Sequence, residues 1–571
     1  MMPLQTWQPR VLCEVLEAAV AVRGTHEALL ADGVRLSYSA LYAESLHIAQ
    51  AMHALGIRRG DHIGILMGNN AAWVTLFFGA AMIGAVTVPV NTRFKAAELA
   101  FCLKQADVKA LFAADKFLKI DFVSFLREME PAVDGVLPGS ALPVLQHVIV
   151  LGKDVPKAAL AWDRFRDMAE TVGGETTLAA AAAPDHFQAA CALVQADDPL
   201  LMQFTSGTTA YPKGVLLTHH NMLRNAWSCG VRMGITADDR YFNCRPFYHV
   251  AGTTMSLLMA VTFGATLVTQ PVFEAGGALQ LMADERCTLT SGNDTLFQLM
   301  LSHAEFDPAK LHLRGGWSAA GPQTMRKIID VMGMKSVCIA YGLSEASPNV
   351  VFSDHREPEE FRVNGHALPH EGVEVRIAGP ASNAPLAANT QGEIQVRGWN
   401  VMKGYYKNDA ANATVFTSDG WLRTGDLGVL GDDGRLSMVG RLKDVFRVGG
   451  ENVAPAEVEE VLLAHVAVAS AQVIGVPDAR LGEVAAAYVT LKAGVANTTA
   501  ASDAAATAAT AGKPGVSEEE LIAWCKSRCA NFRVPRYLRV VADFEAIGMT
   551  GSGKVQKTKL REHALREFGL G

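Results

Sequence analysis

The residues Gln203–Gly214, Gln-Phe-Thr-Ser-Gly-Thr-Thr-Ala-Tyr-Pro-Lys-Gly, concentrate more chemistry than any other stretch of the chain. Thr205, Ser206, Thr208 and Thr209 supply hydroxyls, Lys213 a positive charge, and Gly207 and Gly214 backbone freedom. Such a loop can turn backbone N–H groups, O–H donors and one cation on a polyphosphate. Pro212 stiffens the turn before Lys213. It is not a Walker A loop, because the G-x-x-x-x-G-K-[ST] spacing is missing. Farther on, Tyr341-Gly342-Leu343-Ser344-Glu345 pairs a ring that can stack on a purine with a carboxylate that can hold Mg²⁺ near phosphates. Thr424-Gly425-Asp426 sets an aspartate on a glycine turn, where it can accept hydrogen bonds from ribose hydroxyls. Arg441 and Lys443 precede the glycine-rich turn Gly449-Gly450-Glu451, an order that suits phosphate contact followed by a capped helix. Tyr248-His249 stands at the start of a long apolar run. Gly548–Lys554 fits G-x-x-x-x-G-K, but Val555 occupies the place where a P-loop needs Ser or Thr. Only 17 residues follow Lys554, too few to complete a parallel sheet.

Taken in order along the chain, these segments resemble the motifs of the adenylate-forming superfamily, which includes acyl-CoA synthetases, peptide-synthetase adenylation domains and firefly luciferase. The loop from Thr205 to Lys213 resembles the family's phosphate-binding motif, with Ala210 where the family has glycine. Ser318-Ala319-Ala320-Gly321-Pro322 resembles the segment along the adenine, which implies nucleotide contacts from Ala320 and Gly321. Tyr341, Gly342 and Ser344 fall in the Tyr-Gly-x-Thr-Glu motif, with Ser344 replacing Thr. The resemblance implies that Glu345 and Thr208 hold Mg²⁺ and that Asp426 binds ribose. It makes Lys443 the hinge beside Arg441, and Gly449, Gly450 and Glu451 the entry to the pantetheine tunnel. His249 would line the acid pocket together with Val250, Gly252, Gly292, Asn293 and Ser347; Ser291 and Trp317 border the same motifs. Thr550, Ser552, Gly553 and Lys554 match the final motif, which delivers a catalytic lysine. The implied catalytic set is Lys554, Glu345 and His249. The implied reaction joins ATP and a carboxylate as an acyl-adenylate with release of pyrophosphate, then passes the acyl group to coenzyme A.

The elements that must position these residues follow from hydropathy. Helical periods alternate with short Val/Ile/Leu-rich strands from about Ser37 to Val268, which predicts parallel sheets with helices on both faces. Val108–Phe112, His147–Gly152 and Val337–Tyr341 are strand candidates. Two uncharged runs, Ala71–Val90 and Val250–Phe273, are long enough to span a bilayer. Each reads instead as helix, glycine stop and β-branched strand: Ala71–Ile83 then Gly84–Val88, and Thr254–Phe263 then Gly264–Val268. That order marks buried layers of α/β units. Asn69 and Asn70 supply an N-cap for the first. Thr177–Pro184 reads as a linker, and Gly365–Val439 as a shorter β-rich region in which Gly392–Gly398 alternates like a half-buried strand. The Ala/Thr-rich stretch Asn497–Gly515 reads as a surface insertion, and Ser517–Glu520 opens a helix as a capping box. The expected fold is α/β: a large N-terminal lobe of parallel-sheet units plus a small β-rich part, then a small mobile α+β C-terminal domain. The boundaries expected are 1–440 and 441–571.

Size and composition bound the alternatives. A chain of 571 residues exceeds one hydrophobic core, and 50% hydrophobic with 19% charged residues fits a folded enzyme. A net charge of −7 gives no basic stripe for nucleic acid. Nine scattered cysteines with no C-x-x-C pair, and an N-terminus without an apolar signal core, point to a reduced cytoplasm. Cys525 and Cys529 would share a helix face but lack partners for zinc. The bordering residues of the acid pocket include no Lys or Arg, so the acid expected is an apolar monocarboxylic acid, a fatty acid first and an aromatic or alicyclic acid second. The expected partners are that acid, ATP and CoA, with a homodimer as the self-association to test and no transmembrane segment. Two rivals from other classes are a P-loop NTPase using Gly548–Lys554 and a membrane transporter using the two apolar runs.

Overall fold

The structure is a computed structural model that describes residues 7–170, 186–205, 212–498, 515–549 and 555–570. Two eight-stranded sheets organise the N-terminal part. The first carries Val86–Pro89, His62–Leu66, Val108–Ala114 and His147–Leu151 as parallel neighbours, and Pro199–Thr205 joins them in parallel beside Val86–Pro89. Lys213–Thr218 then runs back antiparallel to Pro199–Thr205, followed by the short edge strand Gly404–Tyr405. The second sheet sets Ser336–Gly342, Gly315–Ala319, Leu289–Asn293, Arg240–Asn243, Thr266–Thr269 and Glu27–Ala31 in parallel order, with antiparallel edges at Asn349–Phe352 and Val34–Ser37.

Both uncharged runs lie inside this body. Ala71–Met82 is a helix buried from Trp73 onward, and it stops before the left-handed Gly84. Among the described residues no helix is long and apolar enough to cross a membrane. The second run differs from its expected form. Its helix starts at Val250, passes through a π-helical turn at Thr253–Leu258 and finishes as α-helix at Met259–Phe263. An all-apolar stretch has no 3.6-residue stripe to mark where such a helix starts or widens. Asn70 caps the first helix by accepting from the Trp73 N–H at 2.8 Å. Asn69 does another job: its Nδ2 donates to the Arg245 carbonyl, and its Oδ1 accepts from the Phe247 N–H, both at 2.8 Å.

A four-stranded antiparallel sheet follows, ordered Val373–Ala378, Gly392–Gly398, Leu422–Leu430, Leu436–Arg441. Gly392–Gly398 is buried on both faces, not half-buried, because its polar residues Glu393 and Gln395 bond the side chains of Arg423 and Arg376. The C-terminal sheet is built on the long antiparallel pair Val468–Asp478 and Gly482–Leu491, with Tyr537–Val540 parallel to the latter. Its hydrophobic core runs from Phe446 to Ala564 and takes no buried residue from before Phe446. The two ends of the Ala/Thr-rich stretch meet as the short parallel pair Ala496–Asn497 and Gly515–Val516; the residues between, like Thr177–Pro184, lie outside those described. Ser517 forms the expected capping box with Glu520. Cys529 lies just past the helix Glu518–Lys526, but its N–H and its Sγ both bond the Cys525 carbonyl at 3.0 Å, one turn on from Cys525. None of the nine cysteines is in a disulfide.

Candidate active site

The residues expected at the nucleotide gather where the antiparallel sheet meets the second parallel sheet. Asp426 sits inside the strand Leu422–Leu430, not on a turn. Gly425 takes a left-handed φ of +69°, and the pairing to Gly392–Gly398 slips at this point, so the aspartate is presented by a bulge. Asp426 is buried, accepts from the Tyr341 hydroxyl at 2.9 Å and lies opposite Arg441, whose Nε is 3.4 Å from its carboxylate. Burial pushes the Tyr341 hydroxyl well above its ordinary pKa, and the neighbouring Asp426 carboxylate pushes the same way. The ring therefore stays protonated and donates to the aspartate. A carboxylate held between a phenol and a guanidinium can still accept from vicinal hydroxyls with its remaining lone pairs.

Tyr341 and Gly342 end the strand Ser336–Gly342, and the next turn, Ser344–Ala346, carries Glu345. A Cβ at Gly342 would lie 2.0 Å from the Pro348 carbonyl oxygen, so only glycine lets the strand end pack there. Glu345 Oε1 accepts from the Tyr405 hydroxyl at 2.8 Å. Burial pushes that hydroxyl up strongly, and Glu345 adds to it. Lys213 Nζ lies 4.9 Å from the centre of the Tyr405 ring. Thr205 and Lys213 face each other across the antiparallel pair. Ser206, Gly207, Thr208 and Thr209 are outside the described residues. Tyr405, which ties Glu345 to Lys213, is a residue that sequence reasoning missed; nothing in Lys403–Tyr406 marks it.

Gln203, inside the strand Pro199–Thr205, donates from Nε2 to the Tyr248 carbonyl at 2.7 Å and so ties that strand to the segment before His249. His249 follows, half-buried, with Nδ1 accepting from the Ala251 N–H at 3.1 Å as the cap of Val250–Gly252. A Cβ on Gly252 would fall 2.2 Å from the Pro246 carbonyl oxygen, which fixes this residue as glycine. Asn293 caps the helix Asp294–Leu301 by accepting from the Leu296 N–H, and Gly292 packs on the Phe297 ring. Ser347 is fully buried, and its hydroxyl donates to the Asn400 carbonyl at 2.7 Å, so it faces the protein scaffold. Trp317 lies opposite Ser291 in the sheet, and its indole N–H donates to the Tyr241 hydroxyl at 2.8 Å. Above the Trp317 ring, 4.6 Å from its centre, stands the guanidinium of Arg245. Arg245 is a second residue missed from sequence: the expected pocket border held no cation.

Ala320 is buried, and the Gly321 N–H donates to Asp294, whose carboxyl pKa is raised by burial. Arg441 ends the last strand of the antiparallel sheet, and a turn through Lys443 leads to Phe446–Val448. The exposed Gly449 and Gly450, both with positive φ, turn this strand tightly into Glu451–Val453. Lys554 falls outside the described residues, while Met549 and Val555 on either side of its motif form an antiparallel bridge. That is no strand-to-helix P-loop on a parallel sheet. Among the described residues no cluster of three His, Cys, Asp or Glu side chains stands ready to hold a metal alone.

Comparison with known proteins covers nearly the whole chain. The family model of the AMP-binding enzyme matches residues 16–406, and that of the AMP-binding enzyme C-terminal domain matches 457–554. YngI of Bacillus subtilis (strain 168), an acyl-CoA synthetase by name, is 36% identical over 94% of this chain and 93% of its own length. A CoA ligase of Rhodococcus jostii (strain RHA1), named for a propanoyl group on a methyl-dioxo-octahydroindene ring, is 34% identical over 98% of this chain and 99% of its own. The solved structure of the anthranilate CoA ligase AuaEII in complex with anthranoyl-AMP superposes with a TM-score of 0.82 at 23% identity, covering 100% of both chains, a likeness of fold.

Proposed function

We propose, from the premise that this chain belongs to the AMP-binding enzyme family and is an AMP-forming acid–CoA ligase working through an acyl-adenylate, that its acid is an apolar monocarboxylic acid, a fatty acid first. The observation that carries the site assignment is the adjacent pair of clusters, Asp426–Tyr341–Arg441 at the end of the strand Ser336–Gly342 and Glu345–Tyr405–Lys213 at the turn that follows it. Asp426 would accept from the ribose, Tyr341, Gly342, Ala320 and Gly321 would border the adenine, and Ser344 would follow beside them. The loop from Thr205 to Lys213, with Ser206, Gly207, Thr208 and Thr209, would hold the phosphates. Glu345 with Thr208 would hold Mg²⁺, which draws charge from those phosphates when bound. His249, Val250, Gly252, Gly292 and Asn293 would border the acid, and the scaffold bonds of Ser347 make it a support of that border.

In the first step an oxygen of the acid's carboxylate bonds to the α-phosphorus of ATP and pyrophosphate leaves. Two anionic groups must meet, so positive charge is needed between them, and Lys554 would supply it. In the second step the CoA sulfur, as thiolate, bonds to the acyl carbon and AMP leaves. Residues 1–440 would form the adenylation lobe and 441–571 a mobile lobe pivoting at Lys443, with Gly449, Gly450 and Glu451 admitting the pantetheine. The separate core that begins at Phe446 supports that division. An alicyclic acid is a second reading, favoured by the Rhodococcus jostii relative and by the broad Trp317 ring beside the pocket. Cysteines held as thiols would suit a reducing compartment, the cytoplasm, and sedimentation of the pure protein would test for a homodimer.

Half-reactions test the assignment. Lys554→Ala should lose acid-dependent pyrophosphate release by about 10²–10³, the usual effect of removing one preorganised electrostatic group. Given synthetic acyl-adenylate and CoA, the same variant should still form thioester. Normal adenylation by Lys554→Ala would reject the role, and ATP hydrolysis without any acid would favour an NTPase instead.

A further inference from the structure

Arg245 has a charge and a hydrogen-bonding edge that the protein leaves unanswered. Its Nε and Nη2 are buried and meet no acceptor, and it forms no ion pair among the described residues. The residue is nonetheless held firmly. Its carbonyl accepts from the Asn69 and Asn243 side-chain amides, both at 2.8 Å. Its guanidinium lies 4.6 Å above the Trp317 ring. That ring is fixed in turn by the bond from its indole N–H to Tyr241, whose hydroxyl donates to the Met255 carbonyl in the π-helical turn at 3.0 Å. The indole face gives the cation a partner in one direction only; its in-plane donors remain.

Nε and Nη2 form the side-on edge of a guanidinium, the geometry that matches one or two oxygens. Elsewhere in this protein the same edge is filled by carboxylates. Arg59 bonds Asp198 through it at 2.7 Å on both nitrogens, and Arg397 bonds Glu374 at 3.1 and 2.7 Å. A buried cation without such a partner is costly, so an unfilled edge points to a ligand that fills it. The place of Arg245 says which ligand. The backbone of Arg245 and Pro246 lies directly against Gly252, in the helix that His249 caps, while the guanidinium lies over Trp317, which pairs with Ser291 in the sheet.

We infer that Arg245 is a specificity-determining residue of the acid site, and that the acid it selects carries an oxygen acceptor distal to its reacting carboxylate. That acceptor, a carbonyl or a second carboxylate, docks on the Nε/Nη2 edge while the apolar body of the acid lies along Trp317. This rests on the acid–CoA ligase reading and on His249 marking the acid end of the site. It goes beyond the fatty-acid reading by requiring oxygen in the tail.

The test uses the full-length enzyme and matched acids: straight-chain alkanoates of several lengths, their distal-oxo analogues and the corresponding dicarboxylates. The quantity read is the ratio of kcat/KM between oxygenated and plain acids, by pyrophosphate release, in wild type, Arg245→Met and Arg245→Lys. A wild-type ratio of about ten to a hundred is expected, the scale of hydrogen bonds to a charged group, collapsing towards one in Arg245→Met. Arg245→Lys should lose most of the ratio as well, because an ammonium lacks the side-on edge. The ligand-free Arg245→Met protein should melt no lower than wild type, since it loses an unpaired buried charge. If Arg245→Met does not fold, Arg245→Lys gives the same ratio test. Preference for oxo acids supports both readings. Preference for dicarboxylates supports Arg245 and rejects the monocarboxylic acid. Plain alkanoates preferred, with a ratio unmoved by substitution, overturn the role of Arg245 and leave the fatty-acid reading standing.

Discussion

Asp426 is where a single side chain decides most. It is buried beside Tyr341 and Arg441, and both of those neighbours are donors to it. Asp426→Ala should remove the only carboxylate of this cluster and leave ribose hydroxyls facing donors. The expected result is a rise in the apparent KM for ATP of about ten- to a hundredfold, with the acid KM much less affected. Steady-state kinetics with ATP varied at saturating acid checks it, and an unchanged ATP dependence in a folded variant rejects the ribose role. At this scale Thr424–Asp426 and Tyr341–Glu345 could be picked out from sequence because their polar residues are nearly consecutive, and the structure brings the two segments together through the Tyr341–Asp426 hydrogen bond. It was silent about partners brought in by sheet pairing. Tyr405 reaches Glu345 across 60 positions of sequence, and Arg245, just past the strand Arg240–Asn243, reaches Trp317 two strands away. No local pattern encodes such contacts, because they depend on which strands become neighbours.

Elements explain a different share. The helix Ala71–Met82 and the strands near Val108, His147 and Val337 were legible because apolar runs, caps and glycine stops are local signals. The π-helical turn was not, because a segment apolar on every side carries no period to read. One element makes a pH-dependent prediction. His219 opens the helix His219–Met233, and its Nδ1 accepts from the Leu12 N–H at 3.0 Å, tying the N-terminal helix down. Burial holds its pKa down at about 4 against an ordinary 6.5, despite the opposing pull of Asp198. The folded state keeps the imidazole neutral while the unfolded chain takes up a proton, so this contribution is complete above pH 6.5 and is lost as pH falls towards 4. The loss is at most about 3 kcal/mol. His219→Gln keeps an acceptor and cannot titrate, so its unfolding free energy should fall less than that of wild type across this window. Parallel pH profiles from urea titrations would reject it. The turn at Lys443 makes another. Its amide takes part in no backbone hydrogen bond among the described residues, so Lys443→Pro costs none and acts by restricting φ. Thioester formation should slow while adenylation is spared; equal losses in single-turnover assays would show that the pivot lies elsewhere.

At the scale of the whole molecule, the core that starts at Phe446 is complete in itself. Trp524 is the one tryptophan after residue 441. It packs in that region against His465 and Arg528, with its indole N–H on the Val461 carbonyl at 2.8 Å. The difference in fluorescence between wild type and Trp524→Phe should therefore report a urea midpoint distinct from that of the remaining tryptophans. Coincident midpoints would mean that the cores melt as one. The covalent path between the cores has a mechanical consequence. The chain leaves the N-terminal lobe at Arg441, the residue paired with Asp426, and the next amide, Leu442 N–H, bonds the Gly425 carbonyl at 2.9 Å. Tension applied through the C-terminal core would therefore peel the strand pair from this end. The rungs loaded first are those at Gly425 and Asp426, and the strands farther back would carry load only afterwards. A tether pulled at the C-terminus would thus load Asp426, the proposed ribose acceptor, before the rest of its sheet.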